Sequence, residues 1–449
     1  MKGAIPVGEA LFSRLAMYDH VTVSWVGDDG YPMQTPATFR VDAAAGVVRI
    51  DRTAVPVPSD REVNITVSHI RPQPGTGYDE RRYVVTWGRV AVADDGYVLT
   101  PAKAWGWDEN DVPFFEYSER ANPQAHAYMK SLSIERHTEV RPRLSRLWTF
   151  FLATRLPFLT ATIVPVLLGI AVAARAGEFN WWLALLTLVG GACVHIGLNV
   201  ANDIFDALSG ADDANVSPTQ YSGGSRVIQR GLVTLRGMSM ISVAAYAVGI
   251  AIGLYLVVYR GSLELLGIGV AGILLSVFYT APPLRLVHRG LGELTTALGF
   301  GPIMVLGAYV VQTDELAWEP FIASIPVAIL IALILYLNEI PDRPGDAKVG
   351  KRTLPVRLSP EVITRGFLVA ALAAFATVVL GVAFGVLPVP TLLALLALPL
   401  VFQIYEGVRR YYDRPYEIMA YLGKNVQLHL VTGLLLFAGY MIAVAAEAI

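Results

Sequence analysis

Four polar residues of this chain stand at a spacing that would place them on one face of a helix. Asn199, Asn202, Asp203 and Asp206 occupy positions i, i+3, i+4 and i+7. Carboxylate and amide oxygens suit Mg²⁺, which commonly binds through one or two carboxylates together with substrate phosphates. This segment therefore predicts a site for a divalent cation.

A second segment carries the same residue types. Asn338, Asp342 and Asp346 would share a face if their helix continued through Pro341 and Pro344, but we expect these prolines to kink or end it. Acidic clusters alone would repel a diphosphate, whereas Mg²⁺ reverses the sign of the local charge. Basic residues that can then bind the outer phosphate oxygens lie nearby in the sequence: Arg226, Lys348, Lys351 and Arg352.

Each cluster by itself has a second interpretation, as a solvated loop or a helix cap. Carboxylates inside a membrane cost about 2.5–3.5 kcal/mol each on insertion scales, so they are seldom retained without a role. Two clusters with Asn ahead of paired Asp, both at the end of an apolar segment, favour one shared site. Acidic and basic residues interleaved at one membrane edge suit a phosphate group attached to a lipid.

Apolar helices must position these residues. The chain has 449 residues, of which 54% are hydrophobic and 16% charged, whereas charged residues make up about a quarter of soluble proteins. The net charge of −2 gives no basic excess that would indicate nucleic acid. The single cysteine, Cys193, excludes an internal disulfide framework.

Nine apolar segments recur towards the C-terminus, each near the roughly 20 residues that span a bilayer. Arg and Lys concentrate in the loops after the second, fourth, sixth and eighth segments, which predicts that these loops face the cytoplasm. We expect a multi-pass protein of the plasma membrane, with the N-terminal domain and the active site on the cytoplasmic side. The predicted spans are 151–174, 181–204, 238–259, 263–281, 292–312, 321–340, 366–386, 389–407 and 426–447.

Half of the Asp, Glu, Lys and Arg residues lie within residues 1–146. This asymmetry predicts a soluble domain over 1–138, a basic linker over 139–150 and a membrane domain over 151–449. β-Branched and aromatic runs separated by turn signals favour a small, mainly antiparallel β-barrel. The predicted strands are 20–27, 35–42, 47–51, 64–70, 82–90 and 97–100, with helices near 8–18 and 123–132.

The segments TVSWVGDDGYPMQTPATFRVD and RRYVVTWGRV resemble the split-barrel family of pyridoxamine-phosphate-oxidase-like flavin proteins, over roughly residues 8–135. The resemblance implies a flavin held by Arg40, Arg52, Arg81 and Arg82, and a reductase acting on a quinone product. The alternative is that these arginines solvate strand faces in a module without a cofactor.

Residues 145–449 resemble the UbiA family of intramembrane prenyltransferases. The segments NVANDIFDALSGADD and NEIPDRPGDAKVGKRTLPVRLS are similar to its two aspartate-rich motifs. SGGSRVIQRGLVT, YTAPP and HRGLGELTTALGFGPIMVLGAYVVQT most resemble the branch that prenylates 1,4-dihydroxy-2-naphthoate in menaquinone biosynthesis. NEIPD departs from that branch, which commonly has an Asn followed by Arg-Asp, and the departure bears on the identity of the aromatic acceptor.

The resemblance implies an all-α bundle of nine transmembrane helices that transfers a polyprenyl group from an isoprenyl diphosphate to an aromatic acceptor, with Mg²⁺ as cofactor. The implied metal ligands are Asn199, Asn202, Asp203, Asp206, Asp342 and Asp346, of which the four aspartates are also the implied catalytic residues. The implied substrate-binding residues are Arg155, Asn199, Asn202, Arg226, Tyr279, Asn338, Lys351 and Arg352.

Two alternatives to this function remain open at this stage. The acceptor could instead be hydroxybenzoate-like or a glycerophosphate lipid. A membrane transporter is the alternative from a different class, since polytopic transporters also carry intramembrane acids. The acids of this chain stand at the ends of apolar segments among basic loops, which favours a headgroup site over a transport site at the bilayer midplane.

Overall fold

The computed structural model divides the chain into two compact units, Met1–Ser118 and Glu119–Ile449. The described residues are 3–28, 32–72, 78–112, 117, 127, 129–131, 133–135, 137–138, 140, 144–215, 219, 221–415 and 417–447.

The first unit is built from antiparallel strands. Its strand order is β1-β7-β4-β3-β2-β5-β6. β6 also pairs with β7 along most of its length, so the six strands β2–β7 form a closed ring of pairings. A short helix, α1 (Glu9–Leu15), packs its buried face onto this sheet. The strands are β1 (Ala4–Ile5), β2 (His20–Val26), β3 (Pro32–Asp42), β4 (Val47–Asp51), β5 (Glu62–Pro72), β6 (Tyr78–Ala93) and β7 (Gly96–Asp108).

Alternation of buried and exposed residues explains why these segments form strands. In β2 the buried residues are Val21, Val23 and Trp25, at every second position. The predicted β2–β3 hairpin is confirmed, with Val23 opposite Thr35. All six predicted strands are present and the mainly antiparallel fold is confirmed, while β1 was not predicted. The expected helix over 123–132 lies largely outside the described residues.

Three of the four arginines considered for a flavin site, Arg40, Arg52 and Arg81, make polar contacts within the first unit. Arg81 pairs with Glu109. Arg52 donates a hydrogen bond of 2.9 Å to the backbone oxygen of Asp94, and Arg40 lies 3.8 Å from Asp51. These contacts favour the alternative interpretation, in which the arginines solvate the faces of the strands and bind no cofactor.

Within the described part of the second unit, nine helices are long and apolar enough to cross a membrane, which confirms the predicted number. A separate helix, α2 (Arg146–Thr154), precedes them. The nine are α3 (Leu156–Arg175), α4 (Trp181–Ser209), α5 (Leu235–Arg260), α6 (Leu263–Thr280), α7 (Gly292–Thr313), α8 (Trp318–Lys348), α9 (Pro360–Ala383), α10 (Val389–Tyr411) and α11 (Met419–Glu447).

Local sequence signals set the ends of α4, the helix that carries the first acidic segment. The side chain of Asn180 caps its first turn by accepting hydrogen bonds from the backbone nitrogens of Trp182 and Leu183. Gly210 ends it with a φ of +77°, a conformation that glycine adopts without strain. The helix therefore extends beyond the predicted end at residue 204 and keeps Asn199, Asn202 and Asp206 on one continuous helix.

Two helix boundaries differ from the prediction. The first predicted span is broken at Arg155, which adopts a left-handed conformation with a φ of +53° between α2 and α3. α8 instead continues through Pro341 and Pro344 to Lys348. Proline is tolerated in membrane helices where neighbouring groups satisfy the freed carbonyls. As a result, the second acidic segment remains helical.

α8 is the most buried of the nine helices, whereas α5 and α6 are the least buried. Its neighbour α7 approaches it closely, because a Cβ on Gly301 would collide with Ala328. On its other side, α8 packs against α9 and α11, in a core that includes Leu337 and Phe367 and to which α10 also contributes residues. The acidic segment of α8 lies against the residues that follow α4, because a Cβ on Gly345 would lie 3.0 Å from Cα of Asn215.

Candidate active site

A cavity of about 580 Å³ opens within the second unit. Its polar end is formed by α4, α8 and the loops that follow them, and its apolar end by α4, α5, α6 and α7. Such a cavity accommodates a charged headgroup at one end and a hydrocarbon chain at the other. The sequence-predicted site residues that line it are Arg155, Asn199, Asn202, Asp206, Tyr279, Asn338, Asp342, Asp346 and Lys351.

Lys351 joins the two acidic segments. Its ammonium nitrogen lies 3.5 Å from Oδ1 of Asp206 on α4 and 3.6 Å from Oδ1 of Asp346 on α8. Burial disfavours the charged ammonium, but Asp206 and Asp346 outweigh this effect and hold the pKa of Lys351 well above its ordinary value. Lys351 is therefore a fixed positive charge at the polar end of the cavity.

The loop over 222–226 links the same two helices through its backbone. The amide of Gly223 donates a hydrogen bond of 3.0 Å to Asp342, and the amide of Ser225 donates one of 3.1 Å to Asp203. Gly223 and Gly224 have φ values of +74° and +69°, which allow the loop to turn its N–H groups towards the carboxylates. The loop thus holds one aspartate of each segment.

Asp203 lies against this loop and outside the cavity wall. A Cβ on Gly224 would lie 2.9 Å from Oδ1 of Asp203 and 3.4 Å from Oδ1 of Asp212. Both carboxylate oxygens therefore border the space that the missing side chain of Gly224 leaves open. Asp342 completes the arrangement by accepting a hydrogen bond of 2.6 Å from Asn215.

Two of the predicted substrate-binding cations also lie outside the cavity wall. The guanidinium of Arg226 donates to the backbone oxygen of Asp212. Arg352 is exposed, and its backbone nitrogen donates to His288. Arg155 does line the cavity, where its guanidinium stacks 4.6 Å from the ring centre of Phe158. Lys351 and Arg155 are therefore the predicted cations on the cavity wall.

Several residues of the site were not among the predicted site residues. Asp212 is buried and accepts a hydrogen bond of 3.0 Å from Gln229. Burial raises the pKa of Asp212 to about 8, and the carboxylates of Asp206 and Asp203 add to that rise. Glu339 of α8 is also buried on the cavity wall. The sequence did contain a signal for Glu339: the segment NEIPD differs here from the naphthoate branch, which commonly has an Asn followed by Arg-Asp.

The donor set fits Mg²⁺. Three buried oxygens, Asp203 Oδ1, Asp346 Oδ2 and Asn338 Oδ1, have no hydrogen-bond partner within the described residues. No three Asp, Glu, His or Cys side chains of the described ranges converge around a single point in a way that could hold an ion. The fit therefore rests on the oxygens without partners, which are hard ligands of the kind that Mg²⁺ binds together with waters and substrate phosphates.

A family model described as the UbiA prenyltransferase family matches residues 162–446. The 2-carboxy-1,4-naphthoquinone phytyltransferase of Synechocystis sp. is 28% identical over 304 residues, which cover 67% of this chain and 94% of that relative. The 1,4-dihydroxy-2-naphthoate octaprenyltransferase of Bacillus subtilis is 28% identical over 294 residues, which cover 65% of this chain and 91% of that relative.

Among solved structures, a UbiA homologue from Archaeoglobus fulgidus bound to GPP and Mg²⁺ aligns with 65% of this chain and 99% of its own, at 15% identity and a TM-score of 0.41. The family match spans well over half of the chain and includes both aspartate-rich segments. This multi-pass membrane protein is a prenyltransferase and belongs to the UbiA prenyltransferase family.

Proposed function

We propose that this enzyme transfers a polyprenyl group from an isoprenyl diphosphate to 1,4-dihydroxy-2-naphthoate, in a Mg²⁺-dependent reaction of menaquinone biosynthesis. The observation that carries the proposal is the contact of Lys351 with both Asp206 and Asp346 at the polar end of a cavity that is otherwise apolar. The acids and the cation of that end suit a diphosphate, and the apolar walls suit an isoprenoid.

Mg²⁺ would supply positive charge that offsets the carboxylates and stabilises the departing diphosphate. The residues that would hold it are Asn199, Asn202, Asp203, Asp206, Asp342 and Asp346. Support comes from the buried carboxylate and amide oxygens that have no partner among the described residues.

The protein's own residues would position the substrate. Lys351 would move from its two carboxylate partners to the outer diphosphate oxygens, and Arg155 would approach them from the other side of the cavity. As the bond between the diphosphate and the first prenyl carbon breaks, its electron pair stays with the diphosphate, and the carbon gains allylic cation character. The electron-rich ring then attacks this carbon, and loss of a proton or CO₂ restores its aromaticity.

The apolar wall would bind the hydrocarbon chain and exclude water from the reacting carbon. Phe300 of α7 and Leu335 of α8 belong to this wall. The ring of Phe300 meets the ring of His195 at 4.6 Å between centres, and His195 is hydrogen-bonded to Thr162 at 2.8 Å. His195 of α4 thereby contacts both α3 and α7, and we propose that it serves as a packing residue.

The naphthoate acceptor is proposed because both relatives compared above bear names that specify a carboxylated naphthalene ring as their substrate. We further propose that the enzyme lies in the plasma membrane with its polar cavity end and its N-terminal unit facing the cytoplasm. The distribution of Arg and Lys among the loops supports that orientation.

Product analysis tests the proposal. The purified enzyme is offered an isoprenyl diphosphate with dihydroxynaphthoate, 4-hydroxybenzoate or a glycerophosphate, and the products are identified by mass spectrometry. We expect a prenylated naphthalenediol that has lost the mass of CO₂, formed only with Mg²⁺. A product from hydroxybenzoate or glycerophosphate alone would overturn the acceptor, and no Mg²⁺-dependent product with any acceptor would overturn the reaction.

A further inference from the structure

Two loops meet at the edge of the cavity, one between α6 and α7 and the other between α8 and α9. The backbone nitrogen of Arg352 donates a hydrogen bond of 3.0 Å to the backbone oxygen of His288. The loops also approach closely at Gly290, where a Cβ would lie 2.8 Å from a guanidinium nitrogen of Arg357 and 2.9 Å from the backbone oxygen of Arg352. The two loops therefore form one surface, although α7 and α8 separate them in the chain.

This surface lies at the rim of the cavity. Val287 lines the cavity and is 2% exposed, whereas Arg285 and Arg289 on either side of it are exposed. Lys351 likewise lines the cavity, and the next residue, Arg352, is exposed. In both loops the chain thus passes from the cavity wall to the protein surface within one or two residues.

The exposed side of the rim is cationic. Neither loop contains an acidic residue between Thr280 and Gly292 or between Lys348 and Pro360. Within the described part of the chain, none of the rim arginines forms an ion pair with a carboxylate. We call these four exposed residues the rim cluster: Arg285, Arg289, Arg352 and Arg357.

An anion that enters the polar end from water passes the rim cluster before it reaches Lys351. Inside the cavity, Lys351 and the proposed Mg²⁺ would offset the carboxylates, so the rim adds to a net attraction for anions. Charge of one sign around a cleft raises the local concentration and the association rate of an oppositely charged ligand. The isoprenyl diphosphate is tethered to the bilayer by its hydrocarbon chain, whereas the aromatic acceptor is a soluble carboxylate. The acceptor is therefore the substrate that the rim cluster can draw from solution.

We propose that the rim cluster attracts the carboxylate of the aromatic acceptor and guides it into the polar end of the cavity. The inference rests on the proposed function. Because this attraction acts before the chemical step, it raises kcat/KM for the acceptor and leaves kcat unchanged. Arginines that served only as a signal for membrane orientation would have no effect on the kinetics of the purified enzyme.

Steady-state kinetics of the double variant Arg285→Gln/Arg289→Gln in an uncharged detergent test this role. At low ionic strength kcat/KM for the acceptor should fall about tenfold, with kcat and the KM for isoprenyl diphosphate within about twofold of wild type. In about 0.5 M NaCl the two enzymes should agree within about twofold, because salt screens exposed charges. At low salt the inhibition constant of 1-hydroxy-2-naphthoate should also rise in the variant, whereas that of the uncharged 1-naphthol should not change.

Arg409→Gln/Arg410→Gln is the matched control, because it removes the same charge from two exposed arginines at the end of α10 and should behave as wild type. If the first double variant does not accumulate as a folded protein, Arg285→Gln replaces it and should show a loss of about threefold with the same dependence on salt.

Three results with an active wild type would overturn this inference alone. They are an unchanged kcat/KM for the acceptor at low salt, an equal loss for both substrates, and an equal loss in the control variant. A wild type that prenylates no aromatic carboxylate would overturn the proposed function and this inference with it.

Discussion

Lys351 lies 3.5 Å from Asp206, a residue 145 positions earlier in the chain. The contact connects the end of α4 with the loop after α8, and both side chains are buried. Buried charges are retained when they are paired, and removal of one partner leaves the other uncompensated. The pair therefore identifies the point at which the two aspartate-rich segments act together.

Replacement of Lys351 should abolish activity with little effect on membrane insertion. In Lys351→Met the carboxylates of Asp206 and Asp346 lose their common cation, and the diphosphate loses a donor. We expect prenyl transfer to fall at least about 100-fold, measured as diphosphate release in detergent. Lys348→Met is the control, since Lys348 is exposed at the end of α8. Equal activity of the two variants would remove Lys351 from the site.

Replacement of Gly224 should displace Asp203. In Gly224→Ala the new Cβ would lie 2.9 Å from Asp203 Oδ1, and a shift of that carboxylate should lower activity about tenfold or more. Gly231→Ala is the matched control, because Gly231 has a similar φ of +66° but no atom within 4 Å of its Cβ position. Both variants carry the same backbone strain, so equal losses of activity would show that contact with Asp203 is unimportant.

The close approach of α7 and α8 should limit residue size at Gly301. Gly301→Ala places a methyl group against Ala328 and should destabilise the protein by about 1–3 kcal/mol. Gly299→Ala, two residues earlier, meets no atom within 4 Å and should be neutral or stabilising by about 0.5–1 kcal/mol. Thermal unfolding in detergent measures both. A stable G301A variant would contradict the helix packing described here.

The proposed orientation predicts which loops react from outside the cell. In a Cys193→Ser background, Glu178→Cys in the loop between α3 and α4 should react with a membrane-impermeant maleimide in intact cells. Arg410→Cys, at the end of α10, should react only after the membrane is permeabilised. Glu178 and Arg410 are both exposed, so accessibility within the protein is matched. The reverse pattern would place the polar cavity end on the outer side.

The number of spans and the strands of the first unit could be predicted from the sequence, because both follow from local patterns. A membrane helix must satisfy its backbone internally, and a strand with one buried face alternates. The shared faces of Asn199 and Asp206, and of Asn338 and Asp346, followed from helical periodicity in the same way. These are properties of single segments.

Other features depend on contacts between distant segments and were not predicted. The break at Arg155 and the continuation of α8 through Pro341 are settled by packing, which overrides local preference. Spacing alone gave no indication that Lys351 would lie between Asp206 and Asp346, or that Arg226 would instead bind the backbone of Asp212.

We propose that carboxylates of two separate helices bind one magnesium-bound diphosphate. Calorimetric titration of an isoprenyl diphosphate into wild type, Asp206→Asn and Asp346→Asn, each with Mg²⁺ and with EDTA, measures whether both helices are needed. We predict that Mg²⁺-dependent binding is present in wild type and weakened at least about tenfold in both variants, with the exposed Asp213→Asn unchanged. Binding that survives EDTA, or that either of the two variants retains in full, would show that the two helices do not share a magnesium-bound diphosphate.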